Sequence, residues 1–448
     1  MDKLTRREAL RSIGAAAGAA IVAPRLLGCG DDQVTPGSIT TIVTLMMENR
    51  SYDHYLGSRK LDEHIAGDGL VAGMQNPDLA GAEHAIYRET VDCIADPPHG
   101  WDSSRAQWNN GQNDGFVKQY QIDQGDGSPP YVMGYFGRTE LPVYYALADV
   151  STTCDRWFAS VMGPTWPNRF YLHCAQSNGL MSNVVPGTAF PSIYDKLNAA
   201  RIDWAYYFSD LPFLGLLQGI DSSKFKHVNN QFFNDAAAGT LPPVVMIDPA
   251  FSLNDDHPPH HPLLGEQFIS AIYDALAASP QWKNLLFVVT YDEHGGFFDH
   301  VSPPQVPDDR AALGFNQLGF RVPTLITGPY AKKGFVTSVQ HDHTSVVRHI
   351  EKMFGLDALT MRDAAANDLS DAIDADRLAR GDAAPPVTLP VVTVDQSMLD
   401  PLCLSSDFKR SDIELYADAG GFPPEMDLRG QVRDLAYEIA ARSGGIRR

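Results

Sequence analysis

The sequence predicts an α/β fold with a central, mostly parallel sheet flanked by helices. Two apolar, β-branched runs, residues 39–47 and 285–290, suit strands buried on both faces. Each ends abruptly in polar residues, Glu48-Asn49-Arg50 and Asp292-Glu293-His294, as strands of an open α/β sheet do at a ligand crevice. Strands and helices also alternate through the middle of the chain, which favours α/β layers over an all-β or bundle architecture.

Taken in order, the chain opens on a targeting segment. Thr5-Arg6-Arg7-Glu8-Ala9-Leu10 sets a twin-arginine pair ahead of an apolar stretch, 13–23, that is too short at eleven residues to span a bilayer. Residues 1–28 therefore read as a twin-arginine export signal to be set aside before considering the fold. Leu26-Leu27-Gly28-Cys29 resembles the lipobox of bacterial lipoproteins, which implies that Cys29 is acylated and becomes the first residue; the alternative is an ordinary peptidase site that discards it. The expected location is the periplasm or cell surface as a lipoprotein, or secretion.

Residues 29–38 form a polar tether, and residues 39–356 the catalytic body. Further strands are expected at 244–247, running into Asp248-Pro249, and at 322–327, running into Gly328-Pro329. Helices are expected at 142–149, 264–277 and 345–354, the last with Thr344 as N-cap and Gly355 as its stop. Residues 357–448 form an appendix expected to pack on the same domain. Within it, 363–390 is rich in Ala, Asp and Pro and reads as a surface excursion, while Val432, Leu435, Ala436 and Ile439 mark an amphipathic helix.

Composition narrows the function. A chain of 448 residues with 44% hydrophobic and 20% charged residues folds without disulfide stapling. Its formal charge of −20 argues against a nucleic-acid partner bound by phosphate neutralisation. Residues 1–28 hold five basic and two acidic residues, so their removal leaves −23. Such a body is repelled by anionic membrane, leaving Cys29 as the expected anchor. With Cys29 lipidated, Cys93, Cys154, Cys174 and Cys403 remain; nothing in their spacing selects a pairing, and no Cys-x-x-Cys suggests a thiolate metal site.

The chemistry concentrates in three blocks. Glu48 and Asn49 are adjacent oxygen donors at one strand end, and Asp292 and Glu293 supply two more carboxylates at another. Gathering these groups without a cation is electrostatically costly, so a shared hard divalent metal is the simplest resolution. Gly295-Gly296 directly after them suggests a tight backbone approach. In Gly163-Pro164-Thr165-Trp166-Pro167-Asn168-Arg169, Pro167 fits a first helical turn with Thr165 just ahead of it. Helix N-termini favour phosphate, Arg169 adds a fixed charge, and a divalent cation would activate the threonine hydroxyl. Thr165 acting only as a helix cap is the equal alternative at this point. His99, the cluster His257, His260 and His261, and His341 with His343 stand beside acidic or Pro-rich segments suited to proton transfer or phosphate binding.

Four blocks in order, Glu48-Asn49-Arg50-Ser51-Tyr52-Asp53-His54, Thr165-Trp166-Pro167-Asn168-Arg169, Tyr291 through Val301, and His343-Thr344-Ser345-Val346, resemble the signatures of the bacterial phospholipase C and acid phosphatase phosphoesterase family. The resemblance runs from about residue 39 to 356 and implies an alkaline-phosphatase-like fold. It implies that Glu48, Asn49, Thr165, Asp292 and Glu293 hold one divalent cation, with calcium, magnesium, manganese or zinc left open. It further implies that Thr165 attacks phosphorus through a phosphothreonine intermediate and that His99, His257 and His294 serve catalysis. Asn49, Arg169 and His343 would bind the substrate, a phosphate ester such as a phospholipid. Thr165 and Asp292-Glu293 are similar to the phospholipase C branch, whereas the acid phosphatase branch tends to serine and paired aspartates. Tyr52 departs from the commoner Phe, Gly163-Pro164 from the usual small hydroxyl residue. The 93 residues after Gly355 leave no room for the two β-rich domains of large haemolytic members, which speaks against membrane lysis. The competing readings are an acid phosphatase acting on soluble monoesters, a sulfatase, whose Cys-x-Pro-x-Arg motif is missing, and a non-catalytic surface lipoprotein that binds metal or phosphate.

Overall fold

The computed structural model describes residues 37–90, 94–393 and 410–442. The export signal, Cys29, most of the tether, Cys93 and Cys403 lie outside the described residues; Cys154 and Cys174 are buried free thiols. Eight strands form the central sheet: β1 Thr41–Met47, β2 Thr152–Cys154, β3 Trp204–Phe208, β4 Phe225–His227, β5 Val244–Ile247, β6 Leu285–Tyr291, β7 Leu325–Thr327 and β8 Phe335–Thr337. Their spatial order is β8-β2-β7-β6-β1-β5-β3-β4. Only β7 runs against its neighbours; every other pairing is parallel. The α/β, mostly parallel expectation is met.

The centre of the sheet is the pair β1 and β6, in register from Thr41 opposite Leu285 to Met47 opposite Tyr291. Every residue of both strands is buried. That is why they read as unbroken apolar runs instead of alternating ones. Helices pack in two groups, Pro142–Val150 with Pro262–Ala278 and Val432–Arg442, and Thr165–Cys174 with Thr344–Phe354 and Ile193–Ala200.

Two boundaries differ from the sequence reading for local reasons. Strand β7 starts at Leu325, not 322, because Pro323 has no N–H to offer the ladder. The helix Thr344–Phe354 starts with Thr344 inside it, since Asp342 accepts the Thr344 N–H at 2.8 Å and so performs the capping. Gly355, at φ +66°, ends that helix as expected. The Ala-, Asp- and Pro-rich stretch is not a loose excursion: Met361–Ala365 and Ala375–Arg380 are helical, and Leu369 and Ala372 are fully buried. Beyond it, Ile413, Phe422, Leu428, Leu435 and Ile439 join the same core as β1 and β6.

Helix Pro142–Val150 has a cap that no local pattern reveals. Leu141 precedes it and offers no acceptor, yet the Val143 and Tyr144 N–H groups both donate to the Glu266 carboxylate at 2.7 Å. One buried carboxylate thus ties two helices of one layer together. Glu266→Gln must turn an amide NH2 toward one of those N–H donors, and urea unfolding should show a loss of about 1–3 kcal/mol. An unchanged midpoint would show that the cap contributes nothing.

Candidate active site

Strand order places three acidic residues side by side. Glu48, Asp248 and Asp292 each follow directly on the last residue of β1, β5 and β6, which are adjacent in the sheet. The Arg169 side chain, from helix Thr165–Cys174, enters beneath them. Its Nε donates to Asp292 Oδ2 at 3.0 Å and its Nη1 to Asp248 Oδ1 at 3.0 Å. Its Nη2 donates to the Met46 and Met47 carbonyls, both at 3.2 Å, and stands 3.4 Å from Glu48 Oε1. The guanidinium is 0% exposed and also faces the Phe251 ring, 4.9 Å from its centroid. Arg169, expected from sequence to bind the substrate, is instead buried and engaged on every nitrogen by carboxylates and backbone carbonyls.

Above this floor lies a cavity of about 180 Å3, lined by Glu48, Asp96, His99, Thr165, Trp166, Asn183 and His257, with residues 410–413 closing one side. Thr165 is the first residue of its helix, not the residue ahead of it, because Pro164 occupies the extended N-cap position. Asn168 folds back to fix this entry: its Nδ2 donates to the Gly163 and Pro164 carbonyls, and its Oδ1 accepts from Val161 N–H at 2.9 Å. The Thr165 hydroxyl is thereby presented at a helix N-terminus, where anions are favoured.

Asn49 and Glu293 sit against the same floor. Asn49, at φ +58°, donates its N–H to Asp292 Oδ1 at 3.2 Å, and its Nδ2 lies 3.3 Å from His99 Nε2. Glu293 Oε2 accepts from Gly295 N–H at 2.7 Å, while Oε1 stands 3.9 Å from His99 Nε2. The glycine pair works as its sequence suggested: a Cβ on Gly295 would lie 2.2 Å from the Asn49 carbonyl. Burial, reinforced by Asp292, pushes the Glu48 carboxyl well above its usual range. Burial likewise raises Glu293, and lifts Asp292 to about 6 against the opposing pull of Arg169. Asn49 Oδ1 and Glu293 Oε1 are buried without a hydrogen-bond partner. Crowded buried carboxylates with partnerless oxygens are what a divalent cation would satisfy, so the donors present fit such an ion.

Two histidines share the cavity and titrate apart. Burial alone would lower His99, but Glu293 and Asp96 outweigh it and hold the imidazole near 9. His257, its ring centroid 5.9 Å away, is lowered by burial. One ligand atom each from Asp96, His99 and His257 lie within 4.8 Å of one another. The other two histidines assigned from sequence turn away from the cavity. His294 Nε2 is 2.8 Å from Gln107 Oε1, and its ring packs on Phe320. His343 accepts from Trp157 Nε1 and donates from Nε2 to the Asp292 carbonyl at 2.7 Å. It holds the backbone of Asp292 and does not line the cavity.

The remaining signature residues form a second buried network. Arg321 donates from Nε to Asp299 Oδ1 at 2.9 Å and from Nη2 to Asp53 Oδ1 at 3.0 Å. His300 bridges Asp53 Oδ2 at 2.6 Å and Asp68 Oδ1 at 3.1 Å. Asp53, Asp299 and His300 come close enough for a metal, but the Arg321 guanidinium already supplies the positive charge. Four features of the site escaped the sequence reading: Asp96, Asp248, Asn183 and residues 410–413. Asp248 had a usable signal, an acidic residue at a strand end. Asn183 and the 410–413 segment had none, because nothing local says what a loop touches.

The Phosphoesterase family model matches residues 39–357. The chain is 33% identical to non-specific phospholipase C6 of Arabidopsis thaliana over 91% of this chain and 87% of that protein. It is 29% identical to phospholipase C B of Mycobacterium tuberculosis over 83% of this chain and 85% of that one. Among solved structures, a protein of the alkaline phosphatase superfamily from Vibrio parahaemolyticus superposes with a TM-score of 0.40 at 11% identity, covering 76% of this chain and 74% of that one.

Removing the central cation tests the floor directly: Arg169→Met leaves Asp248 and Asp292 buried and uncompensated, and urea unfolding should show a loss of about 3–5 kcal/mol. A wild-type midpoint would overturn the assignment. The second network should respond to pH. Although burial alone lowers it, the Asp53 carboxylate raises His300 above its ordinary 6.5. A histidine so raised contributes its stability in full below 6.5 and loses it as pH climbs through the folded value. The stability gap between wild type and His300→Gln should therefore be widest in mild acid and shrink toward alkaline pH; a constant gap would contradict the ion pair.

Proposed function

This chain belongs to the phosphoesterase family and is a phosphoric ester hydrolase of the phospholipase C type, and we propose that Thr165 is its nucleophile. The observation that carries this reading is that Thr165, at a helix N-terminus, shares one cavity with Glu48, His99 and His257. A non-catalytic binder of metal or phosphate has no use for a hydroxyl so placed between an acid and a base.

The two imidazoles divide the proton work. His257, held neutral by burial, accepts the Thr165 proton as Oγ attacks phosphorus. The bond from phosphorus to the alcohol oxygen breaks, and charged His99 protonates the departing alkoxide. Water then attacks the phosphothreonine while His99 recovers a proton from it, and His257 returns its proton to Thr165 Oγ. Glu48, Asn49, Thr165, Asp292 and Glu293 would hold one divalent cation. Such an ion lowers the pKa of the threonine hydroxyl and neutralises charge on the phosphoryl oxygens.

The cavity size bears on the substrate. About 180 Å3 admits a phosphoryl group with a short polar head and leaves acyl chains outside. The same size suits soluble phosphomonoesters, which keeps acid phosphatase activity as the second reading. We place the protein outside the cytoplasm, exported through the 1–28 signal and anchored by Cys29.

Thr165→Ala should abolish hydrolysis of p-nitrophenylphosphorylcholine while leaving the circular dichroism spectrum unchanged. Acid quenching and mass spectrometry should find a phosphoryl adduct on the Thr165 peptide of the wild type, and none in the variant or in wild type stripped of divalent ions. Turnover in the variant at the wild-type rate would sink the mechanism.

A further inference from the structure

Helix Thr165–Cys174 begins without a cap of its own. Pro164 precedes it and offers no side-chain acceptor, so the first-turn N–H groups need a partner from elsewhere. Asn183 supplies it: its Oδ1 accepts from Trp166 N–H at 2.8 Å. The other end of the same amide is also engaged, Nδ2 donating to Asp412 Oδ2 at 2.8 Å. An amide held at both ends has one orientation, since a flip would set NH2 against an N–H and oxygen against a carboxylate.

Asp412 belongs to the C-terminal appendix, 229 residues from Asn183 in sequence. It opens the helix Asp412–Asp418, where Ser411 and Glu414 form a capping box and Ile413 is buried in the main core. Arg410, beside it, pairs with Asp418 and so is held on its own segment. The wall of the cavity that carries Asp412 is thus anchored by packing and by local hydrogen bonds. It is a fixed point from which Asn183 can be oriented.

We propose that Asn183 and Asp412 are positioning residues for Thr165, and that the C-terminal appendix is in this way a working part of the active site. The relay runs from the Asp412 carboxylate through the Asn183 amide to the Trp166 N–H, one residue from the nucleophile. Its effect is to hold the first turn, and with it the threonine oxygen, over the floor formed by Glu48, Asp248 and Asp292. The proposal rests on the reading of Thr165 as nucleophile for its kinetic consequence, but not for its structural one.

The test uses the full chain and three variants, Asp412→Ala, Asp412→Asn and Thr165→Ala. Asp412→Ala frees the Asn183 amide, and kcat for p-nitrophenylphosphorylcholine should fall by roughly ten- to hundredfold with KM little changed. Amide hydrogen exchange at Trp166 should quicken in the same variant, a readout independent of the chemistry. Asp412→Asn keeps an oxygen acceptor for Asn183 Nδ2 and should restore most of both. Unaltered exchange at Trp166 in Asp412→Ala overturns the proposal, whatever happens to turnover. So does an Asp412→Asn variant as impaired as Asp412→Ala, since charge and not the hydrogen bond would then matter. Persisting turnover in Thr165→Ala defeats the nucleophile assignment alone, leaving the exchange result to judge the relay.

Discussion

The site depends on one buried guanidinium. Arg169 reaches the carboxyl ends of three adjacent strands at once, holding Asp248 and Asp292 by hydrogen bonds and standing beside Glu48. Carboxylates without exposure to water repel one another strongly, and each would otherwise be neutralised by protonation. A lysine could not replace it, because a point charge on a single nitrogen cannot serve separate partners in a planar fork. The helix that carries Arg169 also presents Thr165, so the element that balances the floor is the one that aims the hydroxyl. That coupling means that the Thr165 hydroxyl is registered against the acidic residues by the single helix that carries both.

Arg321 repeats the device with a second set of buried carboxylates. It gathers Asp53 and Asp299 and, with His300, locks the loop that follows Glu293. Much of the signature Glu48 to His54 is thereby explained without reference to catalysis. Arg50 donates to the Asp256 carbonyl at 2.8 Å, and His54 stacks on Phe297 with ring centroids 3.9 Å apart. These residues keep two strand-end loops at fixed separation, so that Asn49 and Gly295 can approach within reach of each other. Of the block, Glu48 lines the cavity and Asn49 sits beside His99; the rest build their support.

Against this rigid support, two buried oxygens are left without hydrogen-bond partners, Asn49 Oδ1 and Glu293 Oε1. Their place in the fold matters as much as their number. They belong to residues following β1 and β6, the two longest strands and the best-buried part of the sheet. A polar group can be left unsatisfied there only because the surrounding packing does not yield. The stability invested in the sheet is what keeps these donors in position for a ligand.

Much of this was legible in the amino-acid order. Strands β1 and β6, the helices flanking them, the strand-end donors Glu48, Asn49, Asp292 and Glu293, and the helix-start threonine all announce themselves through local pattern. A doubly buried strand must be apolar throughout, and a polar residue directly after it must sit where the strand leaves the sheet at its carboxyl end. Family membership rests on the same local blocks. What tertiary structure alone decided is direction and partnership. Arg169, His294 and His343 are polar residues in signature blocks, yet each turns inward to hold another group. Asp248 became part of the floor only because β5 lies beside β1, and Asn183 meets Asp412 across 229 residues. Side-chain direction within a block and contact between distant loops are set by topology and packing. Neither leaves a mark on residue spacing, so the strand-end donors and the helix-start threonine could be read from the sequence while the side chains that hold them in place could not.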